Sequence, residues 1–410
     1  MLALLLAINL FNYIDRYILA AVVPLLNTEF FAANDDTSLA KTGSLATYFL
    51  VTYMILAPVF GWLSDRISRW WIIAGGVALW SLASGGSGLA VSFTMLALTR
   101  VFVGVGEAAY GPAAPTIIAD LYPIATRGRV LSLFYMAIPV GSAIGYAFGG
   151  TVAKHWGWRM PFYLVTVPGL VLAAICLAMR EPRAMGASAK ADPPKIQWKD
   201  VLTLFRIRSY TLNTAAMTAM TFAMGGISIW VPQYLVVDRA ADFGNKPDLG
   251  HITFIFGAMT AAAGLLATLL GGWLGDRLRG RFSSAYFLVS GVAMFFAFPA
   301  TVLMLRTPFP GAWVLLFLAI FFLFMNTGPA NTAIANVTPP GLRGTAFALN
   351  ILCIHAFGDA VSPPLIGYIA GKTSMNTAFL VVSATMVVAS GFWFAGARYL
   401  GRDTAAVEQG

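Results

Sequence analysis

Five charged side chains stand in the middle of long apolar runs: Asp15, Arg16, Arg100, Glu107 and Asp359. If those runs cross a bilayer, each charge costs at least ~2.5–3.5 kcal/mol near its centre, persists only by facing protein or water, and marks an ion or substrate path by default. A carboxyl taken out of water holds its proton more tightly, and an arginine brought close reverses that. Moving one past the other therefore loads or unloads a proton. Arg100 and Glu107 are seven residues apart, two helical turns, and share a face. Asp15 and Arg16 are neighbours, about 100° apart on a helix, and cannot both point at one partner. Asp15, Glu107 and Arg100 are read as a proton-coupling and substrate-gating cluster, with a static ion pair as the other reading. Arg16 and Arg100 can instead hold an anionic headgroup through bidentate bonds, with charge balance as the alternative. His355 and Asp359 are i, i+4 and can meet, either as a titrating pair or as a helix-packing hydrogen bond.

The elements that position these residues follow from composition. The chain has 410 residues, of which 59% are hydrophobic and only 10% charged, against about 25% charged for a soluble domain; its mean hydropathy is +0.76. A soluble fold is excluded, and the apolar content suffices for about twelve helical spans of ~20 residues. The runs are continuous rather than alternating, which excludes a transmembrane barrel. We place spans at 2–25, 42–63, 71–91, 95–121, 130–153, 160–179, 210–236, 250–275, 284–305, 312–337, 344–371 and 376–397. The expected organisation is an N-terminal six-helix bundle (1–180), a polar cytoplasmic linker (181–209), a C-terminal six-helix bundle (210–398) and a cytoplasmic tail (399–410). The first run carries Asp15 and Arg16 at its middle and is no removable signal peptide. Because the chain begins almost inside that span, a longer natural N-terminus is expected.

The net charge of +9 is spread through short loops, which fits membrane topology rather than nucleic-acid binding. With the N-terminus inside, 17 Lys and Arg fall on cytoplasmic segments and 7 on the other side; this bias puts both termini in the cytoplasm. Cys176 and Cys353 lie far apart within apolar runs and give neither a disulfide framework nor a metal spacing. His155, among interfacial tryptophans, and His251 lack ligand companions, so no metal is expected. Two motifs repeat in register. Gly61-Trp62-Leu63-Ser64-Asp65-Arg66 returns as Gly272-Trp273-Leu274-Gly275-Asp276-Arg277, and Pro123 with Arg127-Gly128 returns as Pro339 with Arg343-Gly344. Duplicated motifs six spans apart indicate two pseudo-symmetric halves, as in one large class of secondary transporters.

The doubled G-x-L-x-D-R motif, with Arg100-x-x-x-Gly104-x-Gly106-Glu107 on span four, resembles the major facilitator superfamily. A nearer resemblance, to its spinster family of lysolipid and sphingolipid transporters, is carried by four stretches: Asn12-Tyr13-Ile14-Asp15-Arg16-Tyr17; Gly106-Glu107-Ala108-Ala109-Tyr110 through Ala114-Pro115 to Asp120; Phe134 through Tyr146; and His355-x-x-Gly358-Asp359-x-x-Ser362-Pro363. The resemblance implies an all-α fold of twelve transmembrane helices whose spans one, four, seven and ten line a central cavity. Asn12, Tyr13, Arg16, Arg100, Tyr110, Asn213, Thr218, Asn326, Asn331, His355 and Asp359 are the expected substrate-lining positions. Soft Met and aromatic surface beside scattered polar groups suits an amphipathic ligand, although packing explains much of the apolar part.

The same family pattern implies an inner-gate latch built from Gly61, Asp65, Arg66, Arg69, Asp120, Gly272, Asp276 and Arg277. Asp65 would face the start of span eleven and Asp276 the start of span five, where free helix N–H groups favour an anion. Arg66 and Arg69 would pair with Asp120. The alternative is that these arginines only keep the loop inside. On span five, Gly141, Gly145, Gly149 and Gly150 permit close helix approach.

No G-x-S-x-G elbow, H-E-x-x-H or nucleotide-binding loop is present, so neither an enzyme nor an ATP-driven pump is expected, and no cofactor. The resulting expectation is a proton-linked, alternating-access carrier of a small amphipathic substrate, working as a monomer in a bacterial inner membrane without nucleic-acid partners. An organic-anion or drug carrier is the nearest rival. A non-transporting sensor is the reading from another class.

Overall fold

In the computed structural model, the structure describes residues 1–32, 35–64, 66–122, 130–131, 133–180, 203–339 and 342–408. They are helical nearly throughout: α1 (Leu2–Phe30), α2 (Ser38–Ser64), α3 (Arg69–Gly88), α4 (Phe93–Tyr110), α5 (Ala113–Leu121), α6 (Ala137–Trp156), α7 (Met160–Leu177), α8 (Arg208–Gln233), α9 (Leu249–Arg279), α10 (Ala285–Arg306), α11 (Ala312–Phe324), α12 (Thr327–Val337), α13 (Arg343–Ile354), α14 (Ser362–Lys372) and α15 (Met375–Glu408). Among the described residues, eleven helical segments are long and apolar enough to cross a membrane. The twelfth span is α3, equally able to cross by length at 20 residues, but diluted by Gly, Ser and Trp.

Local chemistry explains where helices start, stop and break. The Ser92 hydroxyl caps α4 by accepting from the Met95 N–H. Gly157, at φ 85°, ends α6 in a conformation that glycine tolerates best. Span four is one run in sequence but two helices in space, because Pro112 after Gly111 cannot continue the ladder. Span ten breaks at Met325–Asn326. Span eleven passes through a π turn, His355–Asp359, and α8 runs into another at Tyr234–Asp238. The last helix continues to Glu408, through residues that hydropathy alone set aside as a tail. Most of the expected linker, 181–202, lies outside the described residues.

The chain forms two compact units, Met1–Ala189 with Ile229–Ala261, and Lys190–Ser228 with Ala262–Gly410. In the first, α1 packs along α6, α2 on α4, and α3 between α4 and α7. The α1–α6 seam is closed by the span-five glycines: a Cβ at Gly145 would stand 2.7 Å from the Ile14 carbonyl oxygen. Its core includes Trp70, Val77, Trp80, Phe134 and Phe162. In the second unit α10 packs against α15 and α11.

Charges at the helix ends pair on the exposed surface. Lys154, at the end of α6, reaches Asp248 just before α9 at 2.5 Å, with both side chains 41% exposed. The Lys154 ammonium holds the Asp248 carboxyl below the usual carboxylate range. A carboxylate of lowered pKa contributes stability in full above its ordinary value, near pH 4, and loses it as pH falls through the lowered one. Because the pair is exposed, Asp248→Asn should lower the melting temperature by less than about 2 °C at neutral pH, and by nothing in strong acid. Calorimetry across pH checks both.

Candidate functional site

Four of the five membrane-embedded charges come together in the first unit, carried by α1 and α4. Glu107 is 1% exposed and Arg16 24%. The Arg16 guanidinium donates to Glu107 Oε2 from Nε at 2.6 Å and from Nη2 at 2.5 Å. Its plane is caged by aromatic rings, Phe49 at 4.7 Å, Tyr13 at 5.2 Å and Tyr53 at 5.7 Å from their centroids. Phe49 and Tyr53 are i, i+4 on α2, so one face of that helix supplies both walls. Asn12 lies beside Glu107. Asp15 accepts a hydrogen bond from the Ser84 hydroxyl, and Arg100 donates from Nη2 to Ser87 Oγ while its guanidinium lies 5.5 Å from the Phe162 ring centroid.

The arrangement differs from the sequence-based expectation in its partners. Glu107 pairs with Arg16, not with Arg100, because Arg16 leaves α1 toward α4 and fills the acceptor. Arg100 is seated on α3 and is 2% exposed, closed to any headgroup in this conformation. Three buried atoms of the cluster lack a hydrogen-bond partner among the described residues: Asp15 Oδ2, Arg100 Nε and Glu107 Oε1. The acids and bases are thus partly satisfied, which suits groups that change partners. Ser84, Ser87, Phe49 and Tyr53 went unremarked in the sequence; the only hint was an unusual density of small polar residues over 81–88.

Several expected substrate-lining residues instead hold helices together. Tyr110 is 3% exposed, and its hydroxyl donates to the Leu5 carbonyl at 2.7 Å; the aromatic ring joins the core beside Trp80. In the second unit, Asn213 donates to the Ala330 carbonyl at 3.0 Å and accepts from Trp393 Nε1 at 2.7 Å, tying α8 to α12 and α15. Asn326, fully buried at the α11–α12 break, donates to the Leu323 carbonyl at 2.7 Å. Thr218 and Asn331 bond carbonyls one turn back, and both stay half-buried. Each hydrogen-bonding group that ties a helix break or crossing is unavailable to a ligand.

His355 and Asp359 do meet. His355 Nδ1 lies 2.9 and 3.1 Å from the two Asp359 oxygens, and both side chains remain about one-fifth exposed. They occupy opposite ends of the π turn, a distortion frequent at functional sites. Gly225 of α8 makes room for them: a Cβ there would overlap Asp359 Cβ.

In the repeated loop motifs, Arg69 pairs with Asp120 at 2.6 Å and also reaches Thr116, as expected. Arg66 does not join them. It folds back over the Trp62 ring, 3.8 Å from the centroid, and donates to the Trp62 carbonyl, because an exposed guanidinium one turn beyond a tryptophan finds that face first. Arg277 lies over Trp273 in the same manner, at 5.2 Å. Asp276 accepts from the Tyr286 hydroxyl at 2.8 Å within its own unit. A Cβ at Gly61 would meet Pro112 Cβ at 3.8 Å, and one at Gly272 would meet nothing within 4 Å. Asp65 lies outside the described residues. Among the described residues no cluster of three His, Cys, Asp or Glu could hold a metal.

Residues 5–358 match the family model of the Major Facilitator Superfamily. The chain is 36% identical over 395 residues to Protein spinster homolog 1 of Homo sapiens, covering 91% of this chain and 73% of that protein. It is 33% identical over 432 residues to the sphingosine-1-phosphate transporter SPNS2 of Mus musculus, covering 98% and 77%. The crystal structure of a bacterial homolog to the human lysosomal transporter spinster, inward-facing and unoccupied, superposes with a TM-score of 0.84 at 23% identity over 98% of this chain and 97% of that one.

Proposed function

Because the chain belongs to the spinster family of the major facilitator superfamily, we propose that this membrane transporter carries a single-chain, lysolipid- or sphingolipid-like amphipath by alternating access, coupled to protons. The family is one of transporters and not of enzymes. The observation that carries the finer reading is the Arg16–Glu107 pair, buried on Glu107's side and open enough on Arg16's for a ligand to compete. A proton delivered to Glu107 neutralises the acceptor of both Arg16 hydrogen bonds and frees the guanidinium. The freed guanidinium then takes an anionic headgroup in bidentate fashion, with Phe49 and Tyr53 against the first carbons of the tail. Asp15, bonded to Ser84, is the second proton-carrying group, and Arg100 the charge that opposes its protonation. The sphingosine-1-phosphate named for the mouse relative has this chemistry, an anionic head on one apolar chain.

The Arg69–Asp120 contact supports the inner-gate reading, in which Asp65 and Asp276 complete latches that break as the halves rock. The charge asymmetry of the loops supports cytoplasmic termini; a bacterial inner membrane and a monomeric working state belong to the same proposal.

The test is proton uptake or release by reconstituted protein on adding a lysophospholipid or a sphingoid base. The wild type should give a substrate-linked proton signal. Asp15→Asn and Glu107→Gln should each reduce pH-driven transport at least about tenfold, the scale of one lost charge-assisted interaction. Full pH-driven transport in both variants would refute coupling through these carboxyls. Binding without proton movement would indicate facilitated diffusion, and absence of binding would indicate small organic anions as substrates.

A further inference from the structure

The span whose hydropathy falls short of the other eleven is the one that touches both Asp15 and Arg100. Ser84 and Ser87 of α3 are fully buried and three residues apart, hence on one face. They are used in opposite senses. Ser84 donates its O–H to Asp15 Oδ1. Ser87 accepts from Arg100 Nη2, because a guanidinium can only donate; its own O–H has the Ala83 carbonyl at 3.1 Å and Thr99 Oγ1 at 2.7 Å within reach, Thr99 itself donating to the Leu96 carbonyl at 2.6 Å. One side-chain type thus serves an anion as donor and a cation as acceptor, a turn apart. Ser142, Ser290 and Ser383 also bond main-chain carbonyls of their own helices, but what sets Ser84 and Ser87 apart from them is a hydrogen bond to a charged side chain of another helix. The close approach this requires is built in, since a Cβ at Gly106 of α4 would stand 2.6 Å from the Gly76 carbonyl oxygen of α3.

Arg100 and Asp15 lie within electrostatic reach of each other, yet each is hydrogen-bonded to α3 rather than to the other. The remaining charged groups about Asp15 are Arg16, beside it on α1, and Glu107 on α4; α3 itself brings none, and α2 brings Tyr53, which faces Arg16.

We propose that Ser84 and Ser87 are the positioning residues of the charge site, holding the Asp15 carboxylate and the Arg100 guanidinium on separate seats so that neither neutralises the other. The assignment builds on Asp15 as a proton carrier, and its test is read independently of transport. The experiment is an infrared titration of the carboxyl stretching band in the reconstituted protein, with the Asp15 contribution identified by its loss in Asp15→Asn. Removing the donor in Ser84→Ala favours the protonated form, so the loading pH should rise by about one unit, the scale of one hydrogen bond to a charged group. Ser84→Thr, which keeps the hydroxyl, should restore it. Ser87→Ala should act with the opposite sign: Arg100, deprived of its acceptor, turns to Asp15, and the loading pH falls. If Ser84→Ala does not fold, Ser84→Cys, close in size and a weak donor, carries the same expectation. A purely structural role would lower the melting temperature without moving the band. An unmoved band, or shifts of the same sign in Ser84→Ala and Ser87→Ala, would overturn the proposal. Retained pH-driven transport in Asp15→Asn, with the opposite shifts present, would instead refute the coupling reading and leave the seats standing.

Discussion

Arg16→Ala should destabilise the protein by about 3–5 kcal/mol, because it leaves a charged group buried without its partner. Glu107 is almost wholly enclosed; one of its oxygens already lacks a hydrogen bond, and the other receives two contacts from Arg16. Deleting the guanidinium therefore removes both charged donors at once, and also empties the space between Tyr13, Phe49 and Tyr53. In detergent the melting temperature should fall by about 5–10 °C, with substrate-driven proton movement lost. The double variant Arg16→Ala with Glu107→Gln should recover most of the stability, since no charge is then left behind, and recover none of the transport. That split separates an ion pair needed for folding from one needed for work. Arg16→Lys should fall between them, because an ammonium keeps the charge but offers a point donor in place of a planar fork. An Arg16→Ala protein as stable as the wild type would show that Glu107 is already protonated in the resting state.

Gly150→Leu should reduce transport at least about tenfold through packing alone. A Cβ at Gly150 would overlap Thr253 Oγ1 and stand 2.8 Å from Thr253 Cβ, and one at Gly257 would stand 2.5 Å from the Ala143 carbonyl oxygen. Here the buried Thr253 side chain of α9 sits directly against Gly150, and the Ala143 carbonyl of α6 against Gly257, so a branched side chain at Gly150 has to displace Thr253. Overpacking of this kind costs about 1–3 kcal/mol, enough to empty a conformation that depends on the seam by about one to two orders of magnitude. The direct readout is thiol labelling at Thr253→Cys, in a background where Cys176 and Cys353 are replaced by serine. The introduced thiol should be inert to an aqueous maleimide when Gly150 is retained and reactive when it is combined with Gly150→Leu. Gly75→Leu is the control, since nothing lies within 4 Å of its Cβ position. Equal reactivity with and without Gly150→Leu would show that the seam tolerates the side chain.

Which parts of this architecture could be read from residues alone depends on what each physical signal averages over. Span existence was legible because about twenty consecutive apolar residues have few other homes, and the doubled Gly-Trp-Leu-x-Asp-Arg motif carried the pseudo-symmetry. Breaks inside spans were less so. Pro112 announces one, but the π turn His355–Asp359 contains no proline and carries no hydropathy signature. In the charge site the members were visible and the pairing was not. Asp15, Arg16, Arg100 and Glu107 stand out because an apolar run makes each expensive, whereas their partners depend on helix rotation and depth. Two adjacent residues on α1 point to different helices, so Arg16 meets Glu107 and Asp15 meets Ser84. Tyr110 and Asn213 were misplaced for a related reason: a polar atom on a cavity helix reads as cavity-facing until its carbonyl or indole partner is seen. Arg66 shows the local version, where a tryptophan one turn away outcompetes an acid on another helix.

The composition of α3 also bears on how the chain comes to be in a membrane at all. Glycine and serine make α3 gain less by leaving water for lipid than the other spans do, and the carboxylate and guanidinium that its serines contact arrive on other helices, α1 and α4. The tight glycine contacts with α4, and the α7 packing on its other side, are attractions that exist only once those neighbours are alongside. Membrane insertion of α3 should therefore depend on its neighbours: in a glycosylation-mapping assay, α3 followed by α4 through α7 should insert more completely than α3 alone.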